Sequence, residues 1–153
     1  LYFCHSIYLM FKRDVNKNSI NKKEIFSSFN KSYFNFLSFI KTNMGKDAKF
    51  NSFYMKNLII KETNIKLFIK TWYNRITRNY YTQVMNKDFD FFLNKSYKDD
   101  VEKDNTSGEA PTVMLTYITD FKNTFPSLSE SVKYEFVSFM LHLTELSFLY
   151  FKE

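Results

Sequence analysis

Apolar side chains recur at intervals of three and four along most of this chain, which is the spacing of one face of an α-helix. The first such stretch follows Asn21, which with Glu24 three residues later predicts a helix N-terminus closed by a capping box. Apolar positions continue to Ile40, and Gly45 lies where a glycine commonly ends a helix. The pattern therefore predicts a first amphipathic helix between Asn21 and Gly45, followed by a polar connection through Asp47 and Lys49.

The longest helical pattern covers residues 56–85. One stripe is apolar, and the opposite stripe steps strictly by four and is polar or basic, so the segment predicts a two-faced helix of about 45 Å at about 1.5 Å per residue. We expect this helix to be the long central element of the fold. Its apolar stripe consists of Leu58, Ile65, Ile69, Trp72, Ile76, Tyr80 and Val84, and its polar stripe of Lys66, Lys70, Asn74, Arg78 and Thr82.

The remaining elements are shorter. Asp88 is placed to cap a short helical segment, and residues 98–111 carry almost no apolar side chain, which predicts a loop or hinge. Pro111 then opens a helix that Pro126 stops. Ser127 and Glu130 form a second capping-box pattern, which predicts the start of a last helix carrying apolar side chains from position 132 to 150.

Residues 1–11 form an apolar stretch that is too short and too polar, at positions 4–6, to span a bilayer. Basic residues follow this stretch instead of preceding it, unlike a signal peptide, and no other run approaches 18 apolar residues. We therefore expect a soluble, intracellular protein. The helical stripes predict an all-α bundle of four to five helices in one domain, residues 1–153.

Composition supports this class and excludes others. The chain has 2 Gly and 2 Pro in 153 residues, which argues against a turn-rich β-sandwich and against glycine-rich nucleotide loops. One Cys and 2 His exclude a disulfide framework and a zinc site of the usual kind. Aromatic residues reach 20%, more than one small core requires, so we expect some Phe and Tyr to be exposed and to cover a protein partner.

The net charge of +6 is the difference between two unlike halves. Residues 1–87 hold 16 basic and 4 acidic residues, a net of +12, whereas residues 88–153 hold 6 basic and 12 acidic residues, a net of −6. Such a chain can attract an anionic partner at one end or pair head to tail with copies of itself. Most of the cations are Lys, and the scarcity of Arg argues against sequence-reading contacts to DNA bases.

The chain offers few groups for catalysis. His142 and Glu145, three apart in the last helix, could bridge a metal, and Cys4 beside His5 could form an activated thiolate, but neither pair has a third group nearby. The densest carboxylate group could act as acid and base or hold Mg²⁺, although helix capping and solubility also explain it. We expect no metal, no cofactor and no enzymatic activity. The carboxylates are Asp88, Asp90, Asp99 and Asp100.

A basic face on the long helix is the clearest candidate binding site. Cations interleaved with aromatic rings are typical of proteins that hold phosphates while stacking bases. The alternative is a solvated helix face in a lysine-rich chain. We name this set the basic face: Lys66, Lys70, Tyr73, Arg75, Arg78 and Tyr81.

Residues 71–100 combine a Trp-bearing helix with an acidic-FFL-K-x-Y-x-D segment, and residues 133–153 form an amphipathic helix ending near Leu-x-x-Leu-Tyr. This pattern resembles small uncharacterised helical proteins of large nucleocytoplasmic DNA viruses of algae and protists. The resemblance implies a viral product carried in the particle and transfers no active site. The matching residues are Trp72, Phe91, Phe92, Leu93, Lys95, Tyr97, Asp100, Leu146, Leu149 and Tyr150.

Three functions follow as expectations. The first is a non-enzymatic virion structural or assembly protein, such as a minor capsid component, which contacts other virion or capsid proteins or forms a homo-oligomer. The second is a nucleic-acid-binding accessory protein that uses the basic face. The third is an enzyme with a carboxylate site in residues 88–100.

Overall fold

A computed structural model of the chain describes residues 21–44, 48–102 and 111–152. It is 89% helical and has no strand in these ranges, which confirms the all-α class. A π-helical segment, Tyr73–Thr77, joins α3 to α4, and a 3₁₀ turn, Phe125–Ser127, follows α7. The α-helices are α1 (Lys22–Asn43), α2 (Ala48–Thr63), α3 (Lys66–Trp72), α4 (Arg78–Met85), α5 (Phe89–Asn94), α6 (Lys98–Glu102), α7 (Pro111–Thr124) and α8 (Glu130–Phe151).

Two of the predicted N-caps are confirmed. The Asn21 side chain accepts a hydrogen bond from the Lys23 amide at 3.0 Å, and the Asp88 carboxylate accepts one from the Phe91 amide at 3.2 Å. Each bond satisfies an amide that has no partner within its own helix. The α1 helix ends at Asn43, and Gly45, its predicted end, lies outside the described residues.

The predicted cap of the last helix is wrong by two residues. Ser129 is the cap, because its hydroxyl accepts a hydrogen bond from the Val132 amide at 3.3 Å. Ser127 is instead the last residue of the 3₁₀ turn, and its hydroxyl donates to the Thr124 carbonyl at 2.7 Å. The turn contains Pro126, which lacks the backbone amide that a continuing α7 would need, and a new helix begins only after it.

The single long helix predicted over residues 56–85 is also wrong. The Asn64 amide donates to the Ile60 carbonyl at 2.7 Å and closes α2, whereas the Asn64 carbonyl accepts from the Leu67 amide at 3.1 Å and opens α3. Short polar side chains such as Asn compete with helical bonding, which explains a break at this position. At its N-terminal end, α2 begins at Ala48, earlier than the predicted residue 56. Lys49 therefore belongs to a helix and not to the predicted connection.

The central helix of the fold is α8. All residues from 141 to 147 are buried, so this helix is covered on every side. Helix α1 runs antiparallel to it, with ring centroids 5.3 Å apart for Phe36–Phe139 and 5.9 Å apart for Phe26–Tyr150. The segment from α3 to α4 completes the core, and Trp72 contacts the α1 rings edge-on. These packed helices bury the apolar stripes that the spacing predicted.

More of the aromatic side chains are buried in this core than the composition suggests. The described rings form chains of edge-on and stacked pairs, a geometry in which one ring packs against the next. Among the described aromatic side chains, only Phe91 (36%) and Tyr134 (43%) are strongly exposed. Most described aromatic side chains are thus buried or half-buried, and the expectation that the exposed ones cover a partner stays a prediction. The most exposed large apolar side chains in the described ranges are Met55 (56%) and Ile59 (63%), neither of which is aromatic.

Part of the predicted loop at residues 98–111 is helical. Residues Lys98–Glu102 form α6, and Asp99 and Asp100 lie in its first turn, where negative charge is favoured by the helix dipole. Residues 103–110 lie outside the described residues. The α7 helix begins at Pro111, as predicted.

No helix in the described ranges is both long and apolar enough to cross a membrane. The apolar stretch of residues 1–11, with Cys4 and His5, lies outside the described residues, so its predicted role stays a prediction.

Candidate functional site

Three of the four cations of the basic face lie on α3 and α4 and are exposed. Lys66, Lys70 and Arg78 are exposed, as are Asn74 and Thr82 of the same predicted stripe. In an α-helix of 3.6 residues per turn, side chains four positions apart are not aligned, and each step moves the stripe further around the helix. The π-helical segment has more residues per turn, so it moves the stripe back in the opposite direction. The structure therefore brings the stripe to one open surface.

The two tyrosines of the basic face contact the protein interior instead. The Tyr73 ring lies 4.5 Å from the Phe151 ring and the Tyr81 ring 4.8 Å from the Phe148 ring, measured between centroids. Both tyrosines and Arg75 are half-buried. Because the rings pack against α8, they are not placed as open stacking platforms beside the cations.

Tyr81 belongs to a polar seam between the α3–α4 segment and α8. The Trp72 indole donates to the Thr144 hydroxyl at 3.1 Å, and the Tyr81 hydroxyl donates to Glu145 Oε2 at 2.9 Å. Between them, the hydroxyl oxygens of Thr77 and Ser147 are 2.5 Å apart. Polar groups removed from water need such partners, so these hydrogen bonds specify the position of the α3–α4 segment against α8. We name the three pairs the polar seam: Trp72–Thr144, Thr77–Ser147 and Tyr81–Glu145.

The pair His142 and Glu145 lies in the core and not on a surface. His142 is 3% exposed, and burial lowers the pKa of its imidazole to about 4, so the ring is neutral at neutral pH. Glu145 accepts its hydrogen bond from Tyr81. Across the part of the chain that the structure describes, no three His, Cys, Asp or Glu side chains converge as metal ligands would.

The four carboxylates of residues 88–100 do not form one site. Asp88 caps α5, whereas Asp100 accepts a hydrogen bond from the Tyr80 hydroxyl at 2.6 Å and lies 3.4 Å from the Lys95 ammonium. Asp90 and Asp99 are exposed in the first turns of α5 and α6. Each carboxylate thus has a local role that accounts for its position.

A second cluster surrounds Tyr80 and was not found from the sequence. The Lys95 ammonium lies 5.4 Å from the Tyr80 ring centroid and 5.5 Å from the Tyr97 ring centroid. The Lys122 ammonium lies 5.0 Å from the Tyr97 ring centroid. These distances place two cations over one ring, a favourable cation–π geometry. We name this group the lysine–tyrosine cluster: Tyr80, Lys95, Tyr97, Asp100 and Lys122.

Electrostatics within the lysine–tyrosine cluster favour protonated tyrosines. Burial raises the pKa of the Tyr80 hydroxyl, and its hydrogen bond to the Asp100 carboxylate raises it further. Burial likewise raises the pKa of Tyr97, whose hydroxyl donates to the Phe92 carbonyl at 2.9 Å. The hydrogen bond with Tyr80 raises the pKa of Lys95. Both tyrosines are therefore neutral donors, and Lys95 remains charged near neutral pH.

The backbone around this cluster is irregular. Tyr80 has φ −133° and ψ 19°, which is not helical, although α4 continues on both sides of it. Lys87, just after α4, has φ 57° in the left-handed region, which is uncommon for a residue other than glycine. Irregular backbone of this kind and π-helical turns often accompany functional sites.

The sequence contained one signal for the cluster. Lys95, Tyr97 and Asp100 lie within six consecutive positions of the sequence, and in the structure they lie side by side. Lys122 carries no such signal, because it lies on α7 and meets the cluster only through folding. Spacing along one helix cannot reveal a contact between elements so distant in sequence.

Comparisons with known proteins add no identity to these sites. No family model matches the chain, and no curated protein and no solved structure is significantly similar to it.

Proposed function

We propose that this protein is a non-enzymatic assembly protein that binds neighbouring subunits through the outer face of α2. The observation that carries the proposal is the exposure of Met55 (56%) and Ile59 (63%). These residues are four apart, so they lie on the same side of the helix. Two adjacent large aliphatic side chains left in water favour burial against another protein.

The opposite side of α2 is already in use, which distinguishes its two faces. Asn57 is buried, and its side-chain oxygen accepts a hydrogen bond from Tyr33 of α1 at 2.8 Å. Ile60 packs against the core. The inward residues attach α2 to the protein, so Met55 and Ile59 remain free to contact a partner on the outside.

Charge supports an oriented contact. Lys66, Lys70 and Arg78 form an exposed basic surface, and the exposed carboxylates of α5 and α6 form an acidic one. Opposite potentials on two surfaces of one molecule orient neighbouring subunits and suppress like-charged approaches. The neighbours we propose are other subunits of a virus particle, in which this chain is a minor capsid or capsid-associated component. The resemblance carried by residues 71–100 supports the viral assignment.

Mass spectrometry of purified particles tests the proposal, combined with amine cross-linking. Lys56 is exposed next to Met55 on α2, so we expect cross-links from it to a neighbouring subunit. The double variant Met55→Glu/Ile59→Glu should fold normally and be lost from particles, because two charges cannot be buried there without partners. Tyr134→Glu is the matched control, since Tyr134 is also exposed but lies on α8. Absence of the wild-type protein from particles, or normal incorporation of the double variant, would overturn the proposal.

A nucleic-acid-binding accessory protein is the second candidate. The observation in its favour is the single open surface formed by Lys66, Lys70 and Arg78. Binding through these cations would lose affinity steeply with salt, because each phosphate contact releases counterions.

The second candidate has its own test. Replacing Lys70 and Arg78 with Glu should weaken DNA binding uniformly and reduce the slope of log affinity against log salt by about 2. The control variant Lys31→Glu/Lys41→Glu changes the same charge on exposed residues of α1 and should bind as the wild type does. Weak wild-type binding that does not vary with salt would exclude this candidate.

A further inference from the structure

A cleft of about 270 Å³ opens beside the lysine–tyrosine cluster, between α7 and the chain from α5 to Tyr97. Its walls are mainly aromatic and aliphatic, and the one charged group among them is a lysine. The residues that line it are Phe92, Tyr97, Tyr117, Ile118, Phe121 and Lys122. Concave apolar surfaces with a few fixed polar groups are the common form of small-molecule sites.

Lys122 and the neighbouring Lys95 differ in whether a carboxylate lies beside the ammonium group. The Lys95 ammonium is paired with the Asp100 carboxylate at 3.4 Å. The Lys122 ammonium donates to the Lys95 carbonyl and lies over the Tyr97 ring, and in the described part of the chain no carboxylate lies within ion-pair distance of it. An ammonium has three donors, so Lys122 can donate to a further acceptor in the cleft.

We propose that this cleft binds a small molecule consisting of a planar ring with a single carboxylate. The ring would lie against the apolar walls at Phe92, Ile118 and Phe121, and the carboxylate would accept hydrogen bonds from Lys122. One negative charge matches the single positive charge of Lys122, which favours a carboxylate over a doubly charged phosphate. The volume is close to the lower end of ligand pockets, about 300 Å³, so it suits one or two fused rings.

This site does not depend on the contact surface of α2. The cleft includes neither Met55 nor Ile59. The proposed assembly function can therefore be disproved without affecting the ligand site, and the ligand site can be disproved without affecting the assembly function. The two hypotheses are separated by their readouts, which are particle incorporation for one and small-molecule affinity for the other.

Calorimetric titration of the full chain with 1-naphthoate tests the site, with 1-naphthamide and acetate as comparison ligands. We expect naphthoate to bind about tenfold more tightly than the neutral amide, because it forms a charge-assisted hydrogen bond, and acetate to bind undetectably, because it lacks the ring. Equal affinities for naphthoate and naphthamide, or no binding of naphthoate, would overturn the proposal.

Two variants locate the site. Lys122→Gln should remove the preference for naphthoate over naphthamide, whereas Lys61→Gln should keep it, since Lys61 also lies over an aromatic ring, that of Phe34, but outside the cleft. Ile118→Trp should fill the cleft and abolish binding of both ring compounds, which provides a second test if Lys122→Gln folds poorly. Unchanged naphthoate binding in Ile118→Trp would place the ligand elsewhere and overturn the assignment.

Discussion

Tyr80 and Tyr81 are neighbours in the sequence, yet they belong to different regions of the molecule. The hydroxyl of each donates to a carboxylate, Tyr80 to Asp100 at 2.6 Å and Tyr81 to Glu145 at 2.9 Å. Asp100 is exposed, whereas Glu145 is buried in the polar seam. The same hydrogen bond is therefore made once at the surface and once in the core.

The difference shows that burial determines how much such a bond contributes to stability. At the surface, water replaces a lost partner and salt screens the charges, so a broken bond costs little. In the core, a broken bond leaves an acceptor without water or partner, and the free energy of unfolding falls. The polar seam thus stabilises the fold, whereas the lysine–tyrosine cluster remains open to solvent and to a ligand.

The largest effect should come from removing a core aromatic side chain at the seam. Trp72→Ala should lower the free energy of unfolding by about 3–5 kcal/mol, because it leaves a cavity among α1 and α8 and deprives Thr144 of its donor. Phe91→Ala, at an exposed ring beside Tyr80, should cost about 1 kcal/mol or less. Urea unfolding measures both values. Similar losses in the two variants would contradict the contrast between the regions.

A pH-dependent effect should follow from His142. Its pKa is lowered in the folded protein to about 4 from an ordinary value of 6.5, so the unfolded chain binds a proton between these values and the folded chain does not. The contribution of the neutral ring is complete above about pH 6.5 and is lost as pH falls toward 4, at about 1.4 kcal/mol per pH unit.

Replacing His142 with Leu isolates this contribution. Other groups also titrate in acid, so the informative quantity is the difference between wild type and variant in unfolding free energy, measured from pH 7 to pH 4. We expect the variant to lose less stability than the wild type across this range. Parallel curves would show that His142 does not titrate differently in the folded and unfolded states.

The smallest effect, and the most direct comparison, comes from the two tyrosines. Tyr81→Phe should cost about 1–3 kcal/mol, because the buried Glu145 carboxyl loses the donor of its hydrogen bond. Tyr80→Phe should cost about 0.5 kcal/mol or less, because Asp100 is exposed and still has Lys95 beside it. Denaturation at low and high salt provides the measurement. A salt-insensitive loss at Tyr80 as large as that at Tyr81 would refute the distinction.

The candidate sites were predictable to different degrees. The exposed cations of the basic face follow from helical spacing alone, and Lys66, Lys70 and Arg78 are exposed as that spacing predicts. The positions of Tyr73 and Tyr81 were not predictable, because each ring lies near the boundary between the open side of its helix and α8. Packing against Phe151 and Phe148 decided which side they occupy.

Helix ends illustrate the same limit. Asn21 and Asp88 act as caps because their side chains reach amides two and three residues away, a contact that local sequence specifies. The break at Asn64 and the helical turn at residues 98–102 were missed. The pattern around Asn64 fits a continuous helix, and the pattern of residues 98–102 fits a loop. The structure that each segment adopts depends on neighbours from other parts of the chain.

The sequence by itself determined the helical class, the apolar stripes and two of the helix caps, because each depends on residues within one or two turns of a helix. The tertiary structure alone decided that α8 is central, that Glu145 meets Tyr81, and that Lys122 meets Tyr97. These contacts join residues more than twenty positions apart. Their geometry follows from how whole helices pack, which side-chain periodicity along one helix does not specify.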